Sequence, residues 1–126
     1  MPDCPFCPGV PEETTHLFVT CPRLAGIWAR ILPDQSTPVS VELAVQALCD
    51  AFADADEGRI PHTAAMAVLW VIWKSHNAMI FRATHEYVPT ICRNIRRHAE
   101  LWACRAPRRL DVTPLKLWCQ TVVDVN

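Results

Sequence analysis

The run Cys4-Pro5-Phe6-Cys7-Pro8-Gly9-Val10-Pro11-Glu12-Glu13-Thr14-Thr15-His16-Leu17-Phe18-Val19-Thr20-Cys21 decides how this chain folds. Its spacing, C-x2-C-x8-H-x4-C, supplies three sulfurs and one imidazole nitrogen, the full inner shell of a closed tetrahedral zinc site. Cys4 and Cys7 reach one ion if the turn between them is tight, and Pro5 presets one backbone angle of that turn. Pro8 to Pro11 is then expected to reverse the chain. From Thr14 a short helical turn is expected, capped by Thr14 or Thr15 and ending near Thr20, with Cys21 opening the next helix ahead of Pro22. His16 and Cys21 are five apart and share a face only if the helix breaks between them. Four protein donors leave no open position for water or substrate, so the expected role is structural.

Other readings of the same residues exist. Cysteine is often a small buried hydrophobe, and His16 can be an ordinary surface residue. A redox dithiol usually sits at a strand-to-helix junction, a context missing here. A C-x2-C pair followed by His and Cys, without a secretory signal, favours metal over disulfide.

With 126 residues, 51% of them hydrophobic, and five tryptophans, the chain is expected to form one domain, 1–126, with a substantial core. The metal motif and first helix are assigned to 1–32 and a helical region to 38–122. Net charge is −1, but residues 1–63 carry 3 Arg against 9 Asp and Glu, whereas residues 64–126 carry 9 Lys and Arg against 4. The acidic, proline-bearing start is not a signal-peptide pattern, and the longest apolar run, Ala64 to Trp73, is too short to span a bilayer. Seven cysteines without an export signal point to a reducing compartment, hence an intracellular protein, nuclear or cytoplasmic, with no membrane partner.

Helical periodicity accounts for most of the remainder. Leu24, Ile27, Trp28 and Ile31 form one face of a helix over 22–32, with Trp28 read as core rather than a base-stacking platform. Pro33 to Pro38 is a loop. Val41, Ala44, Val45, Leu48, Phe52 and Ala55 define a second helix with Thr37 or Ser40 as cap. Asp50, Asp54, Asp56 and Glu57 form its solvated exit, and Gly58 ends it. The third helix, Pro61 to Arg82, repeats Met66, Leu69, Trp70, Trp73, Ile80 and Phe81, with Val68, Val71 and Ile72 making it apolar nearly all round. Such a helix is central in a bundle or covered by a partner. His76 and Asn77 beyond it are either buried and bonded or on the wet side.

The fourth helix, Tyr87 to Arg105, turns Val88, Ile91, Cys92, Ile95, Ala99 and Trp102 inward, with Pro89 in its first turn. Its other side carries Arg93, Arg96 and Arg97, extended by Arg105, Arg108 and Arg109. Six arginines in 17 residues can grip phosphates; Arg near a helix carboxyl end, with Glu100 to pair, is also ordinary surface. A last helix opens at Thr113-Pro114 and carries Leu115, Trp118, Cys119 and Val122. Cys49, Cys92, Cys104 and Cys119 are read as core or helix-edge thiols. The fold class expected is all-α, a small bundle of about five helices with an N-terminal CCHC zinc-knuckle-like loop.

The pattern resembles the zinc-binding domain near the carboxyl end of plant-type non-LTR retrotransposon reverse transcriptases. The matching residues are Cys4-Pro5-Phe6-Cys7, Glu12, His16-Leu17-Phe18, Cys21-Pro22 and Trp28, then Trp70-Val71-Ile72-Trp73-Lys74-Ser75-His76-Asn77 and Phe81. Three positions depart from it: Glu13 stands for Thr, Pro8 for Gly, and His76 for Arg. The resemblance spans about residues 4–85. It implies a helical module, with one structural zinc ion, that follows the polymerase in a parent retroelement polyprotein and helps hold RNA or DNA. No polymerase-type Asp pair, Gly-rich phosphate loop or nucleophile elbow is present, so no catalytic residue is assigned. The function expected is a non-catalytic nucleic-acid-binding module. The alternative is a structural or protein-interaction remnant whose apolar third helix packs on a partner or a second copy.

Overall fold

A computed structural model describes residues 3–33, 37–52 and 59–120. The protein is mostly helical, with one two-stranded sheet at its start. β1 (Asp3–Cys4) and β2 (Cys7–Pro11) pair antiparallel with Cys4 opposite Cys7, so the chain reverses at Pro5-Phe6. The expected reversal over Pro8 to Pro11 is therefore corrected: this stretch is a strand, since proline's fixed φ suits an edge strand where no ladder donor is needed. Gly9 supplies the local freedom, at φ +84°, and its N–H donates to Asp3 Oδ2 at 3.0 Å.

Helical winding then starts early, with the Leu17 N–H bonded to the Glu13 carbonyl at 2.8 Å. Thr15 is already helical and its side chain makes no cap bond, contrary to expectation. A π-helical turn, His16–Thr20, leads through extended Cys21 into a 3-10 turn, Pro22–Leu24, and α1 (Ala25–Ile31). Leu24, Ile27, Trp28 and Ile31 are all buried, as their spacing predicts. α2 (Val41–Ala51) is capped by Ser40, whose Oγ accepts the Leu43 N–H at 3.1 Å. Its Ala44, Leu48 and Phe52 face the core. Ala55, the acidic exit Asp54, Asp56 and Glu57, Gly58, and Val122 of the last predicted helix lie outside the described residues.

α3 (Arg59–Arg82) is central, but its inner face is not the predicted stripe. Met66, Trp70, Trp73, Ile80 and Phe81 are exposed, whereas Ala64, Ala65, Ala67, Val68, Val71, Ile72 and Ala78 are buried. Small residues line the side where α2, α4, α5 and the π turn converge, because several elements can approach one helix only where side chains are short. By length and apolarity α3 could cross a bilayer, yet half of that stretch is buried against the rest of the protein. It ends at Ala83, at φ +50°, where the Thr84 N–H reaches back to the Ala78 carbonyl at 3.1 Å.

α4 (Val88–Arg105) runs back along α3, with Pro89 in its first turn and Ile91, Cys92, Ile95 and Ala99 buried. α5 (Thr113–Trp118) docks Leu115 and Trp118, with Cys119 just beyond, into the same core. Thr113 is not its cap. Val112 holds that position without a side-chain cap bond; Asp111, one residue earlier, accepts the Thr113 N–H at 3.0 Å, and bonds from the Thr113 hydroxyl and N–H hold its carboxyl below the usual range.

Candidate metal centre

The hairpin presents Cys4 and Cys7 at its turn, and the π turn presents His16 and Cys21 at its two ends. On an α-helix, residues five apart point about 140° away from each other. Here the Cys21 N–H bonds the His16 carbonyl at 3.0 Å, an i to i+5 bond that widens the turn and brings both residues to one side. No break between them is needed, and the helix ends only at Cys21, ahead of Pro22. Trp28 supports this turn from below, donating Nε1–H to the Phe18 carbonyl at 3.1 Å.

The four ligand atoms lie within 4.8 Å of one another. Cys4 Sγ is 3.9 Å and Cys7 Sγ 3.7 Å from Cys21 Sγ. A disulfide would need about 2.05 Å. Two sulfurs on one tetrahedral ion with bonds of about 2.3 Å stand about 3.8 Å apart. His16 Nε2 is buried without a hydrogen-bond partner among the described residues, while Nδ1 lies 3.3 Å from Thr20 Oγ1. With Nδ1–H donating to that hydroxyl, the Nε2 lone pair is left free for a cation. The donor set therefore can hold a metal ion, and the four residues are those the sequence nominates. Burial pushes the Cys21 thiol up to about 12 and raises Cys7, so a cation that binds here displaces protons.

Around this set lies a shell that spacing did not reveal. Arg23 places its guanidinium 4.1 Å over the Phe6 ring and donates Nη1–H to Ser75 Oγ at 3.1 Å. Burial lowers its pKa, and Cys21 and Cys4 raise it. Phe6 also packs on His85, edge-on at 5.2 Å, and His85 stacks on Tyr87 at 4.4 Å. His76 is 2% exposed, settling its position as buried, with Nε2 3.4 Å from Glu12 Oε1. That contact is a close approach rather than an aligned hydrogen bond, since neither ring nitrogen has a bonding partner among the described residues. Thr20 had a usable signal, a hydroxyl four residues after the histidine. The partners of Arg23, Ser75 and His76 could not be read from spacing, because they lie far away in sequence.

The six arginines do not form one cluster. Arg96 donates to Glu100 Oε1 at 2.6 Å, and Arg93 to Thr90 Oγ1 at 3.3 Å. Arg97 and Arg105 border clefts on the α3 side of α4. Arg96 and Arg105 are nine residues apart, half a turn out of phase on one helix. Arg108 and Arg109 are exposed beyond the helix end. Comparison with known proteins finds no matching family model, no similar curated protein and no similar solved structure.

Proposed function

We propose that this chain is a non-catalytic zinc-binding module, derived from a retrotransposon reverse transcriptase, whose helical bundle binds RNA or DNA. One zinc ion held by Cys4, Cys7, His16 and Cys21 fastens the hairpin to the bundle. The observation that carries the metal reading is the buried, unpartnered His16 Nε2 among three sulfurs at tetrahedral spacing. Three thiols and one imidazole in a tetrahedral set suit zinc above the harder divalent ions. Three thiolates around a divalent ion leave one net negative charge, and Arg23 beside Cys21 and Cys4 balances it. A complete donor set gives the metal a structural and not a catalytic part.

Two observations support the origin and the ligand. The two stretches that resemble the retroelement domain meet in space, Glu12 lying 3.4 Å from His76. The positive excess of residues 64–126 lies on α3, α4 and the turn beyond, where most of the cations are exposed. Cobalt titration of the reduced protein, followed by zinc competition, tests the site. One equivalent bound with tetrahedral thiolate absorption bands, displaced by zinc, is the expected outcome; absence of the bands would remove the metal reading. Nucleic-acid binding that weakens steeply with added salt is expected of the loaded protein.

A protein-docking reading has one observation in its favour, the exposed Met66, Ile80 and Phe81 on α3. It predicts self-association, read by light scattering at increasing concentration.

A further inference from the structure

α3 and α4 lie side by side in opposite directions, and their outer seam holds three depressions in a row. At one end, a cleft of about 550 Å³ is bordered by Arg59, Arg105 and Trp102. The middle one, about 190 Å³, lies between Met66, Trp70, His98 and Trp102. The third, about 240 Å³, is bordered by Lys74, Arg82 and Arg97. Among the described residues, Glu86 is the one acidic residue lining any of the three. None of the five cations pairs with a carboxylate among the described residues.

The aromatic groups between the cations are unusual for a free surface. Trp70 and Trp73 stack at 5.3 Å with their planes 20° apart, and they are 43% and 42% exposed. Lys74 Nζ sits 5.8 Å over the Trp70 ring. The seam thus alternates cation, indole, cation along a helix of 24 residues, roughly 35 Å. Two chemistries are required of an occupant: regularly spaced negative charge and exposed flat rings. A duplex offers the first and hides the second within its stack. An acidic peptide supplies charge and leaves the indoles unused. A single strand of nucleic acid offers both.

We propose that the α3–α4 seam is a track for single-stranded nucleic acid, its five cations holding phosphates while Trp70, backed by Trp73, and Trp102 stack on unpaired bases. This rests on the nucleic-acid reading above and goes further in naming the strand state and the surface. Arg96, half a turn from Arg105 and bonded to Glu100, takes no part.

The test uses the full zinc-loaded chain with a labelled 15-nucleotide oligouridylate, a 15-base-pair RNA duplex and oligoglutamate, by fluorescence anisotropy over a salt series. The expected result is single-strand binding at least tenfold tighter than duplex binding, with quenching of tryptophan fluorescence. Trp70→Leu should weaken single-strand binding by about 5- to 100-fold. Lys74→Gln with Arg105→Gln should lower the log–log salt slope by about 1.4. Arg96→Gln should change neither. Each variant is checked for metal stoichiometry and helix content, and tryptophan quenching by the single strand in the wild-type chain serves where a variant fails to fold. Loss of binding in Arg96→Gln but not in the seam variants would overturn the track and leave the nucleic-acid reading standing. No binding of either RNA at 20 mM salt would overturn both. Oligoglutamate bound as tightly as oligouridylate, and lost with the same variants, would assign the seam to an acidic polypeptide instead.

Discussion

Removing the metal is expected to release residues 3–21 while the helical bundle stands. The nine residues from 3 to 11 bury one side chain fully, Cys4, and three in part, Pro5, Phe6 and Cys7. Fixing nine backbones costs about 9–18 kcal/mol. Burying one small side chain fully and three in part returns about 3–5 kcal/mol, and a lone two-stranded hairpin is marginal at best in water. The shortfall, on the order of 10 kcal/mol, is what a structural zinc ion supplies through four protein donors. Cys4 and Cys21 reach the same core as Val68, Ile72, Ile91 and Ile95, but all four ligands are carried by the hairpin and the π turn and none by α3 or α4. Chelation of the loaded protein followed by backbone hydrogen exchange should therefore abolish protection in the hairpin and π turn and leave it in α3 and α4. Far-UV circular dichroism should keep most of its helical signal. Hairpin protection that survives verified metal removal would refute this, since contacts of Phe6 with Arg23 and His85 would then suffice. Global unfolding on chelation would refute it from the other side, by making the bundle itself depend on the ion.

Thr20→Val removes the hydroxyl that orients His16 with little change of shape; as the contact is long at 3.3 Å and exposed, zinc affinity should fall about tenfold, read by chelator competition. Ala83→Gly relieves a left-handed alanine at the end of α3 and should stabilise the protein by about 1 kcal/mol in urea unfolding. A thiol reagent should modify exposed Cys104 at once and reach buried Cys92 and Cys119 only on unfolding, as followed by mass spectrometry. Burial pushes Cys119 up to about 11 from 9.0, so between those values the unfolded chain holds fewer protons and stability falls as pH rises. Cys119→Ala should flatten that fall in a series of denaturant titrations.

The candidate metal ligands were legible because such a donor set is written in local spacing: residue type and separation limit which donors can meet. Cys4, Cys7, His16 and Cys21 converge as that spacing implies. The π turn that unites His16 with Cys21 was not legible, since residue type and spacing do not tell an i to i+5 turn from a broken α-helix. The inward faces of α1 and α4 followed from periodicity because each helix has one apolar side. α3 has apolar residues nearly all round, so periodicity could not say which side turns inward.

The sequence by itself determined that this protein is a bundle of amphipathic helices fastened by a four-donor cluster, because helical period and ligand spacing are properties of neighbouring residues. Only the tertiary structure decided that α3 buries its alanines and shows its tryptophans, that His76 lies beside Glu12, and that the arginines divide between two sides of α4. Each of these depends on how closely separate elements can approach, and that is fixed by the sizes of side chains that meet from distant parts of the chain.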